Sequence, residues 1–217
     1  IVMKKKIKIY FLENSFDYNG NDLNSNIIGG SEKTLINISN ELAKDKNFII
    51  KVFNNTSTTS IINNVSWMNI NKIDQSEQVN YVIAMSDANL LNKIFCKNNF
   101  LWSHSVQSIE KFIRKKQLIP FLKHKPVMIL EGDYHYKSRS FFTSFFGKEI
   151  LKIAPDKDFI NTKVNLNILP PANAIFTTKS DRNLDFLLDA WHQIKKKSIQ
   201  SKLFINPPYK LTDINIQ

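Results

Sequence analysis

The segment KIKIYFLE, residues 6–13, strings apolar residues together as a strand buried on both faces does, and IIKVFN, residues 49–54, repeats the pattern. Between them Leu35, Ile38, Leu42 and Ala43 recur at helical spacing, so strand, helix and strand follow in order. Two strands joined through a helix are set up to pair in parallel, and a parallel sheet needs cover on both faces. VSWMNI, VNYVIAMSD, NNFLWSHS and PVMILEG read as further strands, with helical patterning around residues 88–95 and in SIEKFIRKKQLIPF. The expected fold is α/β: a Rossmann-like, mostly parallel sheet with helices on both faces.

A second rhythm begins late. Pro170-Pro171 can continue neither a helix nor a central strand and suits a junction, giving expected domains of residues 1–170 and 171–217. After it come a strand in AIFTT, a helix in RNLDFLLDAWHQIKKK and a strand in KLFINPP. In that helix Leu184, Leu187, Leu188, Trp191 and Ile194 make one apolar face, and Lys195 to Lys197 suit the negative end of its dipole. One strand-helix-strand unit cannot bury both faces of a sheet, so the expectation is a partial second α/β unit in a truncated chain. The residues ahead of Met3 also fit a fragment.

The chain is long enough for one substantial core at 217 residues, and its 30 Lys+Arg against 19 Asp+Glu give a formal charge of +11. That charge attracts phosphates, nucleic acid or an acidic membrane surface, or else reflects a composition rich in Lys, Asn and Ile with solvated lysines. The lone cysteine, Cys96, excludes an internal disulfide and fits a reducing, cytoplasmic setting. No stretch approaches the ~20 apolar residues of a membrane span.

Residues 14–28 are polar and join the first strand to its helix, where connections usually take roughly 2–6 residues and longer ones tend to be functional. The stretch ends in Gly29-Gly30-Ser31-Glu32, in a chain with only five glycines. Free N–H groups at a helix start form an anion site, and glycines let a ligand touch the backbone there. The same residues also suit a flexible turn with Ser31 as N-cap. Neither a G-x-G-x-x-G fingerprint nor a Walker A loop is present.

The run GGSEKTLINISNELAK after a first strand and loop resembles the start of family-four retaining glycosyltransferases of the GT-B type, which show Gly-Gly-Ala/Ser-Glu before a helix ending in LA. The late run IFTTKSDRNLDFLLDAWHQIKKKSIQSKLFI resembles the opening of their second domain. The resemblance implies a GT-B N-terminal, acceptor-side domain followed by the first unit of a donor-binding domain. It implies transfer of a sugar from a nucleotide-diphosphate-sugar donor to a saccharide or lipid-linked acceptor, with retention of configuration and no cofactor or metal. Gly29, Gly30, Ser31 and Glu32 would then meet the donor diphosphate and sugar, and Arg182 would supply the matching cation. The family's Glu-containing donor motif lies deeper in its second domain, so these 217 residues are expected to be inactive alone.

His104, in FLWSHS, stands at a strand end, where open α/β sheets place ligands, and matches the family's histidine near the transferred sugar or acceptor; a structural histidine is the other reading. EGDYHYKSRSFFTSFFGK combines Glu131, Asp133, His135, Lys137 and Arg139, the last four of which are candidates for binding the acceptor. Its Phe141, Phe142, Phe145 and Phe146 read as a core helix stripe. Lys111, Arg114, Lys115, Lys116, Lys123 and Lys125 surround apolar residues in a segment interrupted by Pro120, suggesting peripheral contact with the inner, anionic leaflet or an ordinary solvated helix face. No His/Cys cluster has zinc-ligand spacing. A non-catalytic anion- or nucleic-acid-binding domain is the alternative, but most aromatics fall in core positions, so no nucleic-acid partner is expected. A dinucleotide enzyme would need the missing glycine fingerprint.

Overall fold

A computed structural model of the chain describes residues 6–25, 28–151, 173–176 and 183–205. The described residues group into two compact units: Ser25, Ile28 and Gly29 belong with the second, and everything else up to Leu151 forms the first. In the first unit eight strands form one sheet: β1 (Ile7–Leu12), β2 (Phe48–Asn54), β3 (Ser60–Ile62), β4 (Val65–Asn69), β5 (Tyr81–Met85), β6 (Asn99–Ser103), β7 (Val127–Glu131) and β8 (Lys148–Leu151). Their order is β3-β4-β2-β1-β5-β6-β7-β8. Every pairing is parallel except β3 with β4, a hairpin turned by Asn63 and Asn64, both at positive φ (51° and 64°). The chain thus builds outward from β1 on one side, then returns to build from β5 on the other.

Ile9, Tyr10, Phe11 and Leu12 of β1 are buried in succession, so both faces are covered. By strand alternation Tyr10 and Leu12 share one face, where they join Val82, Ala84, Leu101, Met128 and Leu130. Helices α2 (Ile109–Arg114) and α3 (Leu118–His124) close over this cluster through Phe112 and Phe121, whose rings stack edge-on at 4.7 Å. Burying an apolar side chain of this size stabilises by roughly 1.5–3 kcal/mol. Helix α1 (Gly30–Leu42) packs against β2, and its fully buried Leu35 and Ile36 stand outside that cluster. The expected Rossmann-like α/β architecture is what forms.

Local departures from the sequence reading have local causes. The segment through Pro120 is two short helices, broken where Lys116 takes a left-handed φ of 54°. Pro120 sits in the first turn of α3, where an N–H has no helical partner to lose. Residues 88–93 form a 3-10 turn capped by Asp87, whose carboxylate accepts from the Asn89 N–H at 2.9 Å. The four phenylalanines are not a single core stripe. Phe141–Phe145 is a 3-10 turn in which Phe142, with Phe146 just beyond, packs on the core, while Phe141 and Phe145 are 78% and 75% exposed. With three residues per turn, alternate faces emerge sooner than in an α-helix.

The second unit, by itself, is the expected strand-helix-strand: β9 (Asn173–Phe176) and β10 (Lys202–Ile205) pair in parallel across α5 (Leu184–Lys197). Leu184, Leu187 and Trp191 are half-buried, whereas Leu188 and Ile194 of the same expected face are exposed, and no residue of α5 is fully buried. The Lys195 ammonium does bind the segment after the helix, donating to the Ser201 carbonyl at 2.7 Å. The expected junction at Pro170-Pro171 and the candidate Arg182 lie outside the described residues.

Candidate functional site

The reversal of strand order falls between β1 and β5, and open α/β sheets bind ligands beyond the carboxyl ends of the strands at such a point. A cavity of about 200 Å³ lies there, lined by Glu13, Tyr18, Ser31, Glu32, Met85, Ser86 and His104. An adjoining cleft of about 400 Å³ shares Glu13, Met85 and Ser86 and adds Asn14, Asp87, Lys115 and Gln117. Wider clefts of about 480 and 560 Å³ open at the opposite ends of the strands, beside Phe95–Lys97. Position relative to the strand ends, not size, selects the smaller one.

Each lining residue is placed by a strand end or a helix start. Glu13 prolongs β1, its N–H donating to the Phe53 carbonyl at 2.9 Å. Ser86 follows β5 with a left-handed φ of 56°, its N–H donating to the Trp102 carbonyl at 2.8 Å. A non-glycine residue held there is strained, and such strain gathers at functional sites. Helix α1 begins at Gly30, so Ser31 lies within its first turn and the N-cap role expected for it does not apply. A Cβ added at Gly30 would meet nothing within 4 Å, and its φ is not left-handed. Neither packing nor backbone conformation within the protein requires a glycine at this point. Gly29 is exposed and groups with the second unit.

Tyr18 comes from the polar connection, which is more ordered than a loop: residues 20–24 form a 3-10 turn, and the Asn54 amide donates to the Tyr18 carbonyl at 2.8 Å. Tyr18 is 2% exposed, and its buried hydroxyl faces the buried Glu13 carboxyl without completing full hydrogen-bond geometry. Burial pushes the Glu13 carboxyl above its ordinary range; Ser15 pulls it back and the Glu32 carboxylate pushes it up again. Burial, reinforced by Glu13 and then Glu32, raises the Tyr18 phenol far up, so it remains a donor at any ordinary pH. Among the described residues no Lys or Arg lines this cavity.

His104 follows β6, and its Nδ1 contacts Oε1 of Glu131 at the end of β7. Trp102, whose ring lies 5.2 Å from the imidazole, donates its indole N–H to the same carboxylate oxygen at 3.2 Å. The other imidazole nitrogen, Nε2, is buried without a partner. Thus Ser31, Glu32 and His104, separate in the sequence, line one cavity. Glu13, Tyr18 and Ser86 escaped the sequence reading; the only signals were Glu13 and Ser86 at apolar-run ends.

The four acceptor candidates do not converge. Asp133 and Lys137 are exposed on the short helix α4 (Gly132–Lys137). His135 is buried and accepts the Glu131 N–H on Nδ1 at 3.2 Å, a contact reached through the left-handed turn at Gly132, φ 82°. Arg139 stacks over the Tyr136 ring at 4.0 Å. His135 and Arg139 do line a space beside Lys148, but its volume of about 10 Å³ holds no more than a water. Among the described residues no three His, Cys, Asp or Glu side chains gather as a metal site, and no helix is long and apolar enough to cross a membrane. Compared with protein-family models, with curated proteins and with solved structures, the chain matches none, so the cavity's own geometry carries the functional reading.

Proposed function

We propose that the first unit is the acceptor-side half of a glycosyltransferase that moves a sugar from a nucleotide-diphosphate donor to a saccharide or lipid-linked acceptor. The observation that carries this is the meeting of the α1 start and His104 in one small cavity at the strand-order reversal. About 200 Å³ suits one sugar ring and not a whole nucleotide. A glycine at Gly30 with no internal cause leaves room for a ligand to reach the backbone N–H groups of α1. The resemblance of GGSEKTLINISNELAK to family-four glycosyltransferases points the same way.

Saturation-transfer NMR with a panel of uridine- and guanosine-diphosphate sugars tests the reading. The wild-type chain should transfer saturation to the sugar protons of at least one donor, and His104→Ala should weaken those signals more than the base signals. No transfer from any donor, or sugar signals unaffected by the substitution, would remove the basis for this function.

A further inference from the structure

We infer that Glu131 is a positioning residue for His104, holding its ring proton on Nδ1 so that Nε2 stays bare to accept a hydrogen bond from a hydroxyl of an uncharged ligand group. A carboxylate oxygen only accepts, so the nitrogen in contact with Glu131 Oε1 must carry hydrogen. The indole N–H of Trp102 holds that oxygen in place. A neutral imidazole has one N–H, and fixing it on Nδ1 makes Nε2 an acceptor. Nε2 is already buried and without a protein partner, the state that a ligand hydroxyl would relieve.

The rest of the cavity fits the same ligand class. Glu13 and Glu32 present carboxyl groups, and Tyr18, 2% exposed, presents a hydroxyl that faces Glu13. Acceptors interleaved with hydroxyls and two carboxyls, with no cation among the described residues, suit a polyhydroxylated group, which brings both donors and acceptors. They oppose a phosphate, which brings only acceptors and like charge. A donor diphosphate would therefore lie outside this cavity. The inference rests on the sugar-transfer reading for the identity of the ligand, not for the tautomer.

His135 is an internal reference, since its Nδ1 accepts the Glu131 N–H and its proton must sit on Nε2. With four histidines in the chain, a long-range proton–nitrogen spectrum above the ordinary imidazole range can assign each tautomer. His104 should show the Nδ1–H form and His135 the Nε2–H form. Glu131→Gln, which keeps the shape, should return His104 toward a mixture, and Glu131→Leu serves where folding permits. Methyl glycosides of common hexoses should move the His104 resonances, and inorganic pyrophosphate should not. Glu131→Gln should weaken glycoside binding about tenfold, one hydrogen bond's worth. An Nε2–H tautomer at His104, or pyrophosphate shifting it while glycosides do not, would overturn the inference. The Nδ1–H form with no response to any glycoside would uphold the positioning and overturn the sugar as its ligand.

Discussion

Replacing Gly30 with Ala separates the needs of the fold from those of a ligand. Gly30 is the first residue of α1, its φ is not left-handed, and a Cβ there meets no atom within 4 Å. Glycine in a helix costs about 0.5–1 kcal/mol relative to alanine because its unfolded backbone has more freedom to lose. Gly30→Ala should therefore stabilise the first unit by up to about 1 kcal/mol, or roughly 2–4 °C in Tm for a domain of this size. Val is less favourable than Ala in a helix by up to about 0.7 kcal/mol, so Gly30→Val should be nearly neutral. Urea unfolding followed by far-ultraviolet circular dichroism measures both, with an unchanged slope showing that compactness is preserved. The same variants should lose the nucleotide-sugar saturation signals, Val more than Ala, because the added carbons occupy the approach to the helix N–H groups. A loss of stability beyond about 1 kcal/mol would show that the fold needs the glycine, against the geometry. Stable variants that keep full ligand signals would reduce the glycine pair to a turn.

Two further predictions address the rest of the surface. Partial burial works against ionisation of Glu77, but the Lys8 and Lys51 ammonium groups that donate to it, with the Tyr10 hydroxyl close by, outweigh it and hold its carboxyl at about 2, below its ordinary 4.5. Its stabilisation is thus complete above pH 4.5 and disappears as pH falls toward 2, an effect on the order of 2–3 kcal/mol. Glu77→Gln should lower the urea midpoint at pH 7 and flatten its fall in acid; a wild-type pH dependence in the variant would refute the network. Ile109, Ile113, Ile119 and Leu122 are exposed beside Lys111, Arg114, Lys115, Lys116, Lys123 and Lys125, and none of these six is in an ion pair among the described residues. Burial, and after it the charges of Lys115 and Arg114, hold the Lys111 ammonium below its ordinary range. At roughly 1 kcal/mol per basic residue, the chain should co-sediment with anionic vesicles at low salt and release as salt rises. Equal binding to neutral vesicles, or none to anionic ones, would dismiss the docking.

Strand and helix periods are local, and they located β1, α1, β2 and the strands β4 to β7 within a residue or two, whereas the short edge strand β8 was not foreseen. Segments whose backbone deviates were harder to read. The β3–β4 hairpin depends on two asparagines at positive φ, and the Phe141–Phe145 turn winds at three residues per turn where the spacing suggested 3.6. Candidate residues at strand ends, such as His104, were legible because an apolar run stops there. Asp133, His135, Lys137 and Arg139 looked alike as a charged run, yet they point to different surroundings because alternate positions on the short helix α4 face different ways and Arg139 lies beyond its end.

By itself, then, the sequence determined the α/β class, the parallel sheet and the polar connection leading to a glycine-started helix, all properties of neighbouring residues. Tertiary structure alone decided which strand ends became neighbours. Glu131 reaches His104 because β6 and β7 pair with Ser103 opposite Leu130, a register that no local pattern encodes. Tyr18 reaches Glu13 and Glu32 because Asn54, on another strand, holds its carbonyl. The cavity is assembled from three strand ends, a connection and a helix start because packing both faces of the sheet leaves the strand-order reversal as the place where the covering layers part.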